Sequence, residues 1–308
     1  MDYILSTANL TKQYGKNTVV NAVNLHVRQG EIYGLIGKNG AGKTTFLKMA
    51  GGLAAPTSGE ISLFGKTGRD ARLCRTRVGS LIEAPGIYPN MTAEQNLRVK
   101  CIAMGVRDKD TPAKLLDTVG LGNTGSKKAK NFSLGMRQRL GIALALVGAP
   151  DLILLDEPIN GLDPQGIVEV RETLARLNEE YGITMIISSH ILEELSKLAT
   201  HYGIIDGGML LKELSREELL KECSERIELR ADQPQLACTV LESMGIHNYK
   251  VTGGSLIQIF ERLEDTGDIT MALAKQGIKT VEIVVKQEAL EQYYLNMTAG
   301  AKSRGERN

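Results

Sequence analysis

Nine consecutive residues, Gly37-Lys38-Asn39-Gly40-Ala41-Gly42-Lys43-Thr44-Thr45, combine glycines, lysine and hydroxyls in an order suited to holding phosphate. Glycines let successive backbone N–H groups curl toward one point with no Cβ in the way, and a helix start behind them adds partial positive charge. In that pattern Lys43 reaches the β- and γ-phosphates and the Thr44 hydroxyl holds Mg²⁺. A nucleoside triphosphate is the implied ligand. Further along, the aliphatic run Leu152-Ile153-Leu154-Leu155 ends in Asp156-Glu157-Pro158. Asp156 there can bind Mg²⁺, usually through water, while Glu157 can polarise the water that attacks the γ-phosphate. The run Thr184-Met185-Ile186-Ile187-Ser188-Ser189 ends at His190, whose imidazole can donate a hydrogen bond to the same phosphate or simply be structural. His26, His201 and His247 have no comparable position.

These residues need a scaffold that brings them to one edge. The run Ile32-Tyr33-Gly34-Leu35-Ile36 before the glycine loop reads as a strand, and Phe46 to Ala50 after it as a helix. With Leu152–Leu155 and Thr184–Ser189 as buried parallel strands, the pattern is α/β, and in open α/β sheets ligand chemistry lies beyond the carboxyl ends of the strands. From Tyr3 to Gln29 apolar and polar residues alternate around Gly15-Lys16-Asn17, which predicts an antiparallel β portion. Tyr14 there is either a face on which adenine stacks or a core residue at a strand end. Pro56 to Glu60 reads as a turn and Ile61 to Gly65 as a short strand. A helical subdomain is expected over about 72–148: Thr92-Ala93-Glu94-Gln95 is a capping box opening a helix through Met104, and Thr111-Pro112 opens another toward Gly120. Val78 to Pro89 is an apolar strand ending in Glu83, then a proline-flanked loop bearing Ile87 and Tyr88. It reads as a mobile arm or an ordinary turn.

Composition narrows the class. Within 308 residues the net charge is +1, which argues against a generally basic nucleic-acid binder, and no nucleic acid is expected as partner. Cys74, Cys101, Cys223 and Cys238 show no close pairing, in keeping with a reduced cytosol and no cysteine metal site. The start Met1-Asp2-Tyr3-Ile4 has no signal-peptide pattern. The longest apolar run, Gly141 to Leu155, is broken by Pro150-Asp151 and falls short of the roughly 20 residues a spanning helix needs.

In their order, these pieces resemble the nucleotide-binding subunits of ATP-binding-cassette transporters. Asn131-Phe132-Ser133-Leu134-Gly135-Met136-Arg137-Gln138-Arg139 stands where that family has its signature, keeping Ser133 and Gly135, with Leu134 and Met136 in place of the usual glycine and glutamine. Ser133 remains a good N-cap, so the helix start still offers N–H groups to an anion. Ile159-Asn160-Gly161-Leu162-Asp163 matches the loop after the catalytic glutamate, His190 the switch histidine and Tyr14 the adenine-stacking aromatic. The resemblance implies ATP and Mg²⁺ as cofactors and a head-to-tail homodimer. Each ATP would lie between Lys43 of one copy and Ser133, Gly135 and Asp163 of the other. It also implies a membrane permease partner and a cytoplasmic chain, peripheral on the inner face of the membrane. Glu83 occupies a position where the family usually has glutamine, near Mg²⁺ and the attacking water. Glutamate in Leu81-Ile82-Glu83-Ala84-Pro85 is similar to bacterial exporters that protect cells from bacitracin and lantibiotics. On this resemblance the catalytic set is Glu157, His190 and Glu83, and the metal set Thr44, Asp156 and Glu83.

The remainder, 215–308, is expected to form a small α+β domain. Ile227 and Leu229, then Leu256, Ile257 and Ile259, then Val281, Ile283 and Val285 mark three strands, with helices over Pro234–Met244 and Thr266–Gln276, giving βαβαβ. Ala289 to Leu295 resembles the closing helix of an extension found in drug-export and immunity cassettes, with dimer support, regulation or plain stabilisation as its role. The tail Ala301 to Asn308 is small and charged. Two other readings stay open: a soluble cassette ATPase of DNA repair or translation, and a nucleotide sensor. The first has neither the long coiled coil nor the second cassette it would need. The second predicts little hydrolysis, although every catalytic position is occupied.

Overall fold

A computed structural model describes residues 3–223, 225–286, 292–295 and 297. The chain divides into two units, Met1–Arg216 and Glu217–Asn308. In the first, alternation of buried and exposed residues builds β1 (Tyr3–Tyr14), β2 (Asn17–Val23) and β3 (His26–Arg28), and continuous burial builds β4 (Ile32–Ile36). Helix α1 (Lys43–Ala50) follows the glycine loop. Then come β5 (Ser58–Leu63), α2 (Gly68–Leu73), β6 (Val78–Leu81), α3 (Ala93–Ala103), α4 (Thr111–Thr118) and α5 (Leu134–Leu146). The unit closes with β7 (Leu152–Asp156), α6 (Pro164–Glu179), β8 (Thr184–Ser189), α7 (Leu192–Ser196), β9 (His201–Asp206) and β10 (Met209–Ser215).

Two sheets result. β2, β1 and β3 with β5 form an antiparallel sheet, as the alternation in Tyr3–Gln29 predicts. The other has the order β10-β9-β4-β8-β7-β6; its strands are parallel except where β10 runs antiparallel to β9. Every residue of β4, β7 and β8 is buried, because helices and the second sheet cover both faces. Ile36 pairs with Ser189, and Asp156 with Ser188. That register brings the ends of three strands level, and the loops after β4, β6, β7 and β8 leave the same edge.

The helical insert starts later than expected. Residues Val78–Leu81, inside the 72–148 span, form an edge strand of the parallel sheet, because their apolar side chains pack beside β7. The capping box is formed: Thr92 Oγ1 accepts from the Gln95 amide at 3.2 Å and Gln95 Oε1 from the Thr92 amide at 2.9 Å. Helix α5 lies close on β6; a Cβ on Gly79 would stand 2.1 Å from the Ala145 carbonyl oxygen, so only glycine fits. Two arginines clasp the end of α4. Arg139 donates to the Val119 and Gly120 carbonyls at 3.2 and 3.1 Å, and Arg176 to that of Thr118.

The second unit has its own core of Ile227, Leu229, Leu241, Ile257, Ile259 and Leu273, among others. After α8 (Arg216–Glu222) come β11 (Arg226–Ala231), α9 (Pro234–Ser243), β12 (Tyr249–Thr252), β13 (Leu256–Ile259), α10 (Thr266–Lys275) and β14 (Thr280–Lys286). The sheet is antiparallel in the order β12-β13-β11-β14. This is βαββαβ, the split arrangement of two βαβ units, and it adds one strand to the expected βαβαβ. The added strand, β12, is a four-residue edge with no buried residue, too short for its alternation to mark a strand in the sequence. Of the expected closing helix, residues 292–295 are helical and 289–291 lie outside the described residues, as does the tail 301–308.

Candidate nucleotide site

The glycine loop closes on itself through Lys43. Only 5% of its side chain is exposed, and its Nζ donates to the carbonyls of Gly37 at 2.6 Å and Lys38 at 3.2 Å. Gly42 takes φ 105°, and a Cβ there would stand 2.7 Å from the Val19 carbonyl oxygen of β2. The loop is further tied down where Gly208 N–H donates to the Ala41 carbonyl at 3.0 Å and Asn21 N–H to that of Gly208 at 2.8 Å. Lys38, Asn39, Gly40 and Thr45 complete the loop and the first turn of α1, as the sequence places them.

Thr44 is the first link to the acids. Its hydroxyl donates to Asp156 Oδ2 at 2.8 Å, and the Ser188 hydroxyl donates to Asp156 Oδ1 at 2.6 Å. Asp156 is thus buried and held on both oxygens by neutral donors. Among the described residues no group of three or more histidine, cysteine, aspartate or glutamate side chains gathers to hold a metal. One hydroxyl and one carboxylate fit Mg²⁺, which takes most of its ligands from water and substrate phosphates.

Glu157 follows with φ 48°, left-handed backbone that costs a residue with a Cβ about 1–3 kcal/mol. Its amide donates to the Ser188 carbonyl at 3.2 Å and approaches the Ser188 hydroxyl oxygen at 3.0 Å, which fixes the turn. Oε2 meets His190 Nδ1 at 2.8 Å. Oε1 is buried with no hydrogen bond of good geometry, although the Lys43 ammonium stands 3.2 Å away. That contact is Coulombic rather than directional, and it leaves a carboxylate oxygen with unused acceptor capacity.

Glu83 also adopts left-handed backbone, φ 65°, but its side chain is 63% exposed. Its carboxylate pairs with the Lys48 ammonium of α1 at 2.5 Å. The hydrogen bond to Glu83 holds the Lys48 pKa above the usual lysine range. The loop beyond is anchored by buried Asn96 of α3, whose Oδ1 accepts from the Tyr88 amide at 2.7 Å and whose Nδ2 donates to the Tyr88 carbonyl at 3.2 Å.

Tyr14 is 51% exposed, so it is not a core residue. Its ring lies at the end of β1 with the Lys12 ammonium 4.9 Å from the centroid. Ser133 and Asp163 both cap helices: Ser133 Oγ accepts from the Met136 amide at 3.2 Å, and Asp163 Oδ1 from the Gly166 amide at 3.1 Å. Gly135 lies close to Gly166, so α5 and α6 present their N-termini side by side. The cavity of about 1200 Å³, lined by Leu115, Asp151, Tyr181 and Ile183, is at the other edge of the sheet, before β7 and β8.

Three residues with clear positions were not singled out from sequence: Ser188, Lys48 and Asn96. Ser188 had a legible signal, a hydroxyl ending a buried aliphatic strand. The roles of Lys48 and Asn96 depend on contacts 35 and 8 residues away, which spacing does not reveal.

Comparison with known proteins gives the family. Residues 20–160 match the ABC transporter family. The chain is 40% identical over 302 residues to the bacitracin transport ATP-binding protein of Bacillus licheniformis, covering 97% of this chain and 99% of the relative. It is 46% identical over 223 residues to the lantibiotic transport ATP-binding protein of Streptococcus pyogenes, covering 71% and 95%. Among solved structures, a dimeric ATP-binding cassette in a post-hydrolysis state with ADP and Pi superposes with TM-score 0.62 at 25% identity, over 69% of this chain and 98% of that one.

Proposed function

This chain belongs to the ATP-binding proteins of ABC transporters, and from that premise we propose that it powers expulsion of an antimicrobial peptide of the bacitracin or lantibiotic kind. The movement runs through a separate membrane subunit and confers immunity or resistance. The likeness to bacitracin transport proteins extends along nearly the whole chain, second unit included, and this is the observation that carries the peptide reading. No helix of the described residues is long and apolar enough to cross a membrane, so the path for cargo is assigned to a partner.

The chain is an ATPase, and its residues divide the work. Lys43 exchanges its loop carbonyls for the β- and γ-phosphates of ATP, and the backbone N–H groups of Gly40 to Thr45 receive the remaining phosphate charge. Thr44 and Asp156 would hold Mg²⁺, with Glu83 facing the metal–nucleotide complex from its loop, and the ion when bound would neutralise charge developing on the phosphates. Glu157, freed from Lys43, orients and polarises water for in-line attack, and His190 keeps the Glu157 carboxylate aimed while donating toward the γ-phosphate. Tyr14 offers its ring to adenine. Ser133, Gly135 and Asp163 of a second copy close over the triphosphate, so the working unit is a homodimer. The Glu83–Tyr88 loop, tied by Asn96 to the helical insert, conveys closure to the permease. The second unit, Glu217–Asn308, supports that dimer. The chain sits at the cytoplasmic face of the membrane, held by its permease.

The reading is tested in a host strain lacking this gene. Sensitivity to bacitracin or a lantibiotic is expected to rise and to be restored by the wild-type chain but not by Glu157→Gln. Unchanged sensitivity to both peptide classes would overturn the peptide assignment. Glu83→Gln is expected to leave ATP affinity without Mg²⁺ within about twofold, since Glu83 is exposed and would act on the nucleotide through the cation. Protection should change while binding persists. If protection and ATPase rate both match the wild type, the role given to Glu83 is wrong.

A further inference from the structure

Lys48 stands one helical turn beyond Thr44, so both side chains leave the same face of α1. Its ammonium is 2.5 Å from Glu83 Oε1, and Asp156 and Tyr14 are near enough to act on it electrostatically. Glu83 and Glu157 are both among the non-glycine residues with positive φ, a strain that persists only where surroundings enforce it. A carboxylate at position 83 would, alone, repel the triphosphate and attract its cation. The chain supplies a matching positive charge at hydrogen-bond distance.

We propose that Lys48 is a positioning residue for Glu83: without nucleotide it holds the carboxylate at the end of β6 and cancels its charge, and with nucleotide it competes with the ATP-bound cation for that carboxylate. The proposal rests on the reading of Glu83 as facing the metal–nucleotide complex. Because the pair is exposed, Lys48 adds little to stability and its removal is readable in the folded protein.

The experiment is equilibrium binding of a non-hydrolysable ATP analogue to the full chain, with Mg²⁺ and with EDTA, in four proteins: wild type, Lys48→Met, Glu83→Gln and the double variant. The quantity read is the ratio of the two affinities. Freeing Glu83 in Lys48→Met is expected to raise the Mg²⁺-dependent gain roughly tenfold, the scale of one unit charge acting at short range near a protein surface. Glu83→Gln should lower the gain, and adding Lys48→Met to it should change nothing further. Lys48→Gln, which also removes the charge, stands in if Lys48→Met does not fold, and Lys48→Arg, which keeps it, should retain the wild-type ratio. An equal shift from Lys48→Met in both backgrounds would overturn the proposal, since Lys48 would then act on nucleotide directly. So would an unchanged gain in Lys48→Met. An unchanged gain in Glu83→Gln would instead overturn the underlying assignment of Glu83.

Discussion

Glu157→Gln is expected to cut ATP turnover by about 10²–10⁴-fold, the usual contribution of a positioned general base, while ATP binding survives. The amide keeps the shape of the side chain, and the strained turn depends on backbone contacts with Ser188 that the substitution leaves alone. Lost are the negative charge facing Lys43 at 3.2 Å and the basicity of the oxygen beside His190. Removing a carboxylate next to the γ-phosphate also removes a repulsion, so affinity should hold or rise. The variant should therefore accumulate ATP-bound dimers, seen as a doubling of mass in light scattering with ATP but not with ADP. Turnover at the wild-type rate would refute the assignment of Glu157 as base.

Lys43→Ala is expected to lower ATP affinity by about a hundredfold or more, because each charge-assisted hydrogen bond to phosphate contributes roughly 1.5–3 kcal/mol. Binding fails for a second reason as well. The loop carbonyls of Gly37 and Lys38 lose their buried donor, and Glu157 loses the ammonium that stands 3.2 Å from its Oε1. Leaving one member of a buried pair costs about 3–5 kcal/mol, less here because 18% of the Glu157 side chain is exposed. Lys43→Arg should not rescue, since the side chain is 5% exposed and a planar guanidinium has no room to turn. Titration with a fluorescent ATP analogue checks both variants. Wild-type affinity in Lys43→Ala would show that the loop holds phosphate by its backbone alone.

What could be read from the sequence was whatever is encoded locally. The glycine loop, the aliphatic runs ending at Asp156 and His190, and the capping box at Thr92 all depend on neighbours a few residues apart. Thr44 and Asp156 lie 112 residues apart, yet both were legible as metal-site candidates because each sits at the end of a recognisable loop or strand; the hydrogen bond between them was not. Illegible were features with no periodic signature. Edge strand β12 is four residues that bury nothing, and although β6 was legible as an apolar strand, the start of the helical insert beyond it was not. The Lys48–Glu83 pair is hidden for another reason: a surface lysine on a helix looks the same whether or not a carboxylate meets it.

The brace between Gly42 and Val19 has a consequence for selectivity. Tyr14 pairs with Asn17 across the turn that begins β2, and the same β2 is pressed against the loop at Gly42. The separation between ring and anion cradle is thus set before any ligand arrives, as the jaws of a gauge are set. On the roles proposed for Tyr14 and the glycine loop, adenosine alone would touch one jaw and tripolyphosphate the other. Joined in one molecule, the second contact costs no further loss of free translation, so intact ATP should outbind either fragment by far more than each fragment's own contacts suggest.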